Sequence, residues 1–291
     1  MVMISMGLLF YIFEDFSVEN TPLLKTNIPE NTGGVLSLPI QTISIPVPTL
    51  LSFDTLKSQL DADKTLTNTV SEAPKGTIIK SPMPDKIVIT FDICSPYSGI
   101  WKANLLHSLD IIAQETEYPV TIFVAGIALQ DKDIKAKIIQ LSHLPHVSLQ
   151  PHGMHHYALT ALDKTAHFNR VVRSTGNLQL AYREMLESAQ EIEKITGKRS
   201  QYIRSPGLIT DEKVTKMADL MRLTMVGRTT EGGNECEDGG GGKKGKVEKM
   251  NFHNGVLFLG HAINIDGVEA VYKKLDQEKW ETTFLDGIPK G

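Results

Sequence analysis

Three of the nine histidines fall within five residues, in the stretch Gln150-Pro151-His152-Gly153-Met154-His155-His156. His152 and His156 are four positions apart, so a helical turn there would put both imidazoles on one side, a spacing suited to gripping a single metal ion through two nitrogens. His155 would then point elsewhere. An isolated histidine pair is more often a hydrogen-bonded core feature or a surface one, and what lifts this pair is its company. Thr90-Phe91-Asp92, Arg204-Ser205-Pro206-Gly207 and Leu259-Gly260-His261 each close a short apolar run. An acid, a histidine pair, an arginine and a further histidine, all delivered where strands end, suit a divalent metal site. Zinc comes first by ligand type, with cobalt or nickel as the alternatives. Cys94 and Cys236 are the only cysteines and form no CxxC or Cys/His finger, so neither a disulfide framework nor a structural zinc module is expected.

The elements that must position these residues begin near Asp85. Lys86 to Phe91 reads as a buried strand and Trp101 to Ala113 as a helix. Tyr118 to Val124 is again strand-like, Asp133 to Leu141 helical, and Val147 to Leu149 a short strand. Arg173 to Thr196 is the strongest helix: Leu178, Tyr182, Met185, Leu186, Ala189 and Ile192 form its apolar face. Glu184, Glu187, Glu191 and Lys194 form the polar one, and Gly197 ends it. Strands at Tyr202-Ile203, Thr224 to Val226, Val256 to Leu259 and Thr282 to Leu285 alternate with helices at Asp211 to Met221 and Asp266 to Leu275. Seven strand candidates alternating with amphipathic helices predict an α/β fold, a distorted (β/α)7 barrel, with a doubly wound open sheet as the other solution. In such a barrel the strand ends share one mouth. Glu231 to Lys246 is Gly-rich and charged, lacks the phosphate-loop spacing, and reads as a surface loop.

Ahead of the barrel the character differs. Met1 to Phe13 is apolar but shorter than the ~20 residues needed to cross a bilayer, and it lacks a basic start and a cleavage site. It reads either as the remnant of a signal peptide or membrane anchor, or as a buried strand or mobile terminus. Eight of the fourteen prolines lie between Glu19 and Asp85, which predicts an extended linker with one short helix around Phe53 to Leu60. The expected organisation is therefore 1–13 leader, 14–84 Pro-rich linker and 85–291 barrel. A formal charge of -4 is too weak and of the wrong sign for a nucleic-acid partner.

The order TFD, HxxxH 60 residues on, RxP after another 52 and LxH after another 57 resembles the NodB-homology polysaccharide deacetylases, carbohydrate esterase family four. The likeness runs from about Asp85 to Leu285. It implies a distorted seven-stranded barrel and metal-dependent removal of acetyl groups from an N-acetylated glycan such as peptidoglycan or a chitin-like polymer. Position by position it implies Asp92 as catalytic base, His152 and His156 as metal ligands, Arg204 as the residue orienting the base and His261 as general acid to the leaving amine. The resemblance also favours a secreted, periplasmic or envelope setting. The apolar start is compatible with that setting and with membrane association through the N-terminus, and a cytoplasmic role is the alternative.

Three departures qualify the resemblance. The family's first motif is TFDD, whose second Asp ligates the metal; Ile93 stands there, and Cys94 is the neighbour that could replace it, unless it is a buried neutral thiol. Gly153 follows His152 where the family has Ser or Thr. After the fifth strand Arg228-Thr229-Thr230-Glu231 replaces the family's Asp and Trp positions, which leaves Glu231, Glu235 or Asp238 as partners for His261. Sugar contacts would then fall to Tyr97, Trp101, Tyr157 or Pro206. Alongside the deacetylase stand two other readings: a weak or inactive barrel that binds carbohydrate, and an amidohydrolase acting on a non-sugar amide.

Overall fold

In the computed structural model the described residues are 51–285, apart from 68, 72, 73, 75, 79, 80, 82, 84, 163–171, 230–243, 251, 253 and 254. The apolar segment 1–13 and most of the Gly-rich stretch lie outside them. Among the described residues no helix is long and apolar enough to cross a membrane.

The centre is a parallel sheet of β2 (Val88–Ile93), β3 (Val120–Val124), β4 (Val147–Pro151) and β8 (Leu257–His261), in the order β4-β3-β2-β8. Every residue of β2 and β3 is buried, as strands covered on both faces must be, which is why they read as continuous apolar runs rather than alternating ones. β5 (Tyr202–Ile203) and β7 (Thr224–Met225) form a second parallel pair. The Arg204 N–H donates to the Pro151 carbonyl at 3.2 Å and the Thr229 N–H to the Leu257 carbonyl at 3.1 Å. These bonds join the pair to both ends of the central sheet and complete a distorted barrel. The seventh stave is reduced to a bridge between Ile87 and Thr282, so the strand expected over Thr282 to Leu285 is a single paired residue.

Helices α2 (Gly99–Gln114), α3 (Lys132–Ser142), α4 (Leu178–Thr196), α5 (Glu212–Leu220) and α7 (Ile265–Glu278) surround the strands. Local chemistry sets their ends. The side chains of Asp131, Asn177 and Asp211 accept from backbone N–H groups of the first turns of α3, α4 and α5, and Gly197 closes α4 in the left-handed region at φ 66°. On α4 the buried stripe is Ala181, Glu184, Met185, Ser188 and Ile192. Glu184 therefore does not belong to the polar face where its charge would place it.

The segment that composition assigns to a linker enters the compact body. α1 (Phe53–Ala62) buries Leu56 and Leu60 in the cluster that also holds Met185, Val214 and Met217, and β1 (Val70–Ser71) pairs antiparallel with β6 (Thr210–Asp211). Compact structure thus starts well before residue 85. Prolines at 22–48 dominated the composition of this stretch, and the apolar spacing of Leu56 and Leu60 on one face of α1 is the local signal that outweighs it. At the far end of the Gly-rich stretch α6 (Lys244–Val247) is a single helical turn.

Candidate active site

β2 delivers two polar groups to the mouth and turns one apolar group away. Side chains alternate along a strand, so Asp92 and Cys94 share a face while Ile93, fully buried in the main core, lies on the other. Isoleucine at 93 is thus a packing residue, and the donor nearest to the vacated role is two positions from Asp92, at Cys94.

His152 follows β4, held by its N–H to the Val124 carbonyl at 3.0 Å. The chain then turns, but not as a helix. Gly153 (φ 74°) and His156 (φ 62°) both occupy the left-handed region. The Gly153 and Met154 carbonyls accept from the N–H groups of Gly126 (2.9 Å) and Ile127 (2.6 Å). This clipped turn, rather than a helical i, i+4 face, brings the rings of His152 and His156 to 5.1 Å between centroids. Gly153 is fitted to it, since a Cβ there would be strained at that φ and would lie 3.3 Å from Glu184 Oε2. His155 leaves the cluster: its backbone N–H donates to Glu184 Oε2 at 2.8 Å and its Nδ1 lies 2.6 Å from Glu184 Oε1.

His152 Nδ1 donates to the Arg204 carbonyl at 3.0 Å, an outer bond of the kind that leaves Nε2 as the lone-pair nitrogen facing the site. Nε2 lies 3.7 Å from Asp92 Oδ2 and 3.9 Å from Cys94 Sγ. His156 Nε2 is buried with no hydrogen-bond partner. One donor atom each from Cys94, His152 and His156 lies within 4.8 Å of the others. Ligands bonded at about 2.0 to 2.3 Å to a tetrahedral ion lie about 3.3 to 3.8 Å apart, so side-chain adjustments of up to about an ångström would bring the three donors onto one ion. A thiolate and two imidazoles, one of them an orphaned buried acceptor, form a set that fits zinc and its neighbours.

Arg204 is wholly buried. Its Nη1 donates to Asp92 Oδ1 at 2.7 Å, its Nη2 to the Gly227 carbonyl at 2.9 Å, and its guanidinium lies 4.1 Å over the Phe123 ring. Burial alone would raise the pKa of Asp92, but the Arg204 guanidinium beside it holds it below the usual carboxylate range. Burial pushes His152 down, with Asp92 opposing, so its imidazole is neutral. Burial and the neighbouring His152 take His156 down to about 3. Both histidines are therefore poised as neutral ligands.

His261 ends β8 directly opposite Asp92 in the β2/β8 register, and its Nδ1 is buried without a partner among the described residues. Glu231, Glu235 and Asp238 lie outside those residues. The sugar-contact candidates spread out. Tyr97 is in hydrogen-bonding contact with Cys94, and burial followed by that thiol raises its ionisation above the ordinary tyrosine range. Tyr157 stacks on His155 with centroids 5.9 Å apart, and Pro206 is buried against Gly153. Trp101, 56% exposed, stands on the first turn of α2. The sequence reading missed Glu184, although the spacing 181, 184, 185, 188, 192 places it on the buried stripe. It also missed the Gly227 carbonyl, which no side-chain pattern marks.

A family model described as polysaccharide deacetylase matches residues 80–226. No curated protein sequence matches the chain. Among solved structures it is similar to a family 4 carbohydrate esterase from Bacillus anthracis, with 19% identity over 77% of this chain and 97% of that one and a TM-score of 0.55. The peptidoglycan deacetylase PdaC of Bacillus subtilis has 21% identity over 72% and 91%, with a TM-score of 0.50. A CE4 family pseudoenzyme from Bacillus anthracis has 13% identity over 75% and 69%, with a TM-score of 0.50. At these identities the likeness is one of fold, and that fold is shared by enzymes and by a pseudoenzyme.

Proposed function

The chain belongs to the polysaccharide deacetylase family, and from that premise we propose that it is a metal-dependent hydrolase that removes acetyl groups from an N-acetylated glycan. The observation that carries the proposal is the donor cluster of Cys94, His152 and His156 standing beside an ionised Asp92 that Arg204 locks in place. Cys94, His152 and His156 would hold the ion, which supplies Lewis-acid polarisation of the acetyl carbonyl and a more acidic water.

Asp92 is the base. Its second oxygen, Oδ2, is the one not committed to Arg204, so it faces the cluster and accepts a proton from the attacking water. Arg204 keeps it ionised and aimed through a charge-assisted bond. Across the β2/β8 register, His261 donates a proton to the amide nitrogen as the C–N bond breaks, a contribution of roughly 10² to 10⁴ in rate. Water and acetamide thereby give acetate and a free amine. Tyr157 and Trp101 supply the sugar-facing surface in this proposal; Pro206, being buried, does not. An envelope polymer suits the reading, since the similar PdaC is described as a peptidoglycan deacetylase, and a secreted, periplasmic or envelope location would follow.

One specific observation favours a second reading, a weak or inactive barrel that binds carbohydrate: His261 Nδ1 has no carboxylate partner among the described residues. Acetate release from N-acetylglucosamine oligomers decides between the two. The deacetylase reading expects metal-dependent release that falls at least ~10³-fold in Asp92→Asn, as for loss of an essential base. Release equal in the wild type and in Asp92→Asn, or no release with stoichiometric metal bound, overturns it.

A further inference from the structure

Beside the metal-binding turn stands a histidine that the reaction above does not use. Glu184, carried on α4 and 1% exposed, gives both carboxylate oxygens to this one residue: Oε2 accepts the His155 backbone N–H at 2.8 Å, and Oε1 lies 2.6 Å from His155 Nδ1. The two bonds do different things. The first ties down the backbone of the turn, and the second fixes the imidazole ring, which the turn alone does not require. With Nδ1 committed, the opposite ring edge carries Nε2, which takes no hydrogen bond among the described residues, and the side chain is 44% exposed. A carboxylate on one nitrogen that leaves the other open is how a histidine is oriented toward a ligand. Tyr157 lies along the same ring, with centroids 5.9 Å apart and planes 29° from parallel, and its hydroxyl takes no hydrogen bond among the described residues either.

His155 and Tyr157 flank the ligand His156 in the chain, each one Cα step of about 3.8 Å away, so both stand at the end of β4 where the metal site opens. His155 itself leans off the donor cluster toward α4. A sugar unit whose acetyl group reaches the ion therefore leaves its neighbour in the polymer to meet this pair. Sites for such ligands combine aromatic surface for C–H faces with a few placed polar groups that fix orientation. Two rings, an open imidazole nitrogen and a phenol supply both. We propose that His155 and Tyr157 form a saccharide subsite for the unit next to the one being deacetylated, with His155 Nε2 hydrogen-bonded to a hydroxyl of that unit and Glu184 as the positioning residue that aims it. The site thereby selects an oligomer over a single sugar. The inference rests on the deacetylase reading for the nature of the glycan, but not for the binding itself.

Calorimetric titration of the full chain with zinc present, in an Asp92→Asn background to prevent turnover, tests it with two probes: N-acetylglucosamine and its tetramer. Asparagine carries an amide N–H where histidine carries Nδ1–H, so His155→Asn keeps the bond to Glu184 and deletes the outer nitrogen. Binding of the tetramer should weaken about threefold to tenfold in His155→Asn, as for one lost hydrogen bond, and by a similar factor in Tyr157→Phe, which keeps the stack. Binding of the single sugar, zinc affinity measured by competition with a chelator, and the urea midpoint should all stay as they were. Unaltered tetramer binding in His155→Asn, an equal weakening of the single sugar, or a loss of zinc affinity that parallels the loss of tetramer overturns the proposal, the last because the histidine would then act only through the turn. If the wild type releases no acetate yet tetramer binding follows the expected pattern, the deacetylase reading fails and the subsite stands; acetate release with tetramer binding indifferent to His155→Asn gives the reverse.

Discussion

Arg204→Met removes the guanidinium from a fully buried position and leaves a shorter, uncharged chain. Two groups lose partners: Asp92, itself 4% exposed, and the Gly227 carbonyl. Stripping one member from a buried ion pair costs about 3–5 kcal/mol, and the orphaned carbonyl adds about 1 kcal/mol. The expected loss is therefore about 4–6 kcal/mol, a large share of the ~5–15 kcal/mol that holds a typical domain, and urea denaturation would read it as a lowered midpoint at unchanged slope. The pH dependence follows from the direction of the Asp92 shift. In the native chain its folded pKa lies below the unfolded value, so its stabilisation is present above about pH 4 and fades as pH falls through the folded value. Without Arg204, burial acts with less opposition and the folded pKa moves up. The variant's deficit should thus be greatest near neutrality and shrink as the pH falls toward about 4. Pairing the substitution with Asp92→Asn should recover about 2–3 kcal/mol relative to the sum of the single changes, because no unpaired charge is left. A deficit under about 1 kcal/mol, one that does not change between neutral and acid pH, or strict additivity would refute this reasoning.

Gly153→Ala should destabilise by about 1–2 kcal/mol for the left-handed backbone alone, with a further contribution from the 3.3 Å approach to Glu184; thermal and urea melts check it, and a neutral outcome would mean the turn is not held at this φ. Glu184→Ala, which removes both hydrogen bonds that hold His155, should cost about 1–3 kcal/mol and weaken metal binding by loosening the turn that carries His156, whereas a surface glutamate would show neither effect. Zinc titration in buffers of different ionisation enthalpy should release about one proton per ion near pH 7, because the thiol must lose its proton to ligate and both histidines are already neutral. In Cys94→Ala that release should fall to near zero, and an unchanged release would remove Cys94 from the ligand set.

What could be read from the sequence was what period and spacing encode. The buried runs of β2 and β3, the stripe and Gly197 stop of α4, and the delivery of Asp92, His152, Arg204 and His261 by strand ends are all local signals, and the structure has each of them. The histidine pair was legible as a pair but not in its geometry: a spacing of four suggested a helix, while Gly153 and His156 reach the same proximity through left-handed residues clipped to the turn at 126–127. The strand alternation that separates Ile93 from Cys94 was present in the sequence. Glu184 was obscured because its charge argued for solvent, and only the partner, His155, 29 positions away, explains its burial. β1 and β6 are two residues each and pair across 140 positions of chain, too short to leave a periodic trace. The same limit hid the role of residues 53–62, whose packing depends on α4 and α5.

In the proposed function Cys94, His152 and His156 together form one metal centre, with the thiolate of Cys94 as its sulfur ligand. X-ray absorption at the zinc edge of the stoichiometrically loaded protein tests it directly. One sulfur scatterer at about 2.3 Å and two imidazole nitrogens at about 2.0–2.1 Å are expected, with the sulfur shell absent in Cys94→Ser. A bound ion surrounded by nitrogen and oxygen alone in the wild type, or failure to bind zinc at all, would contradict it.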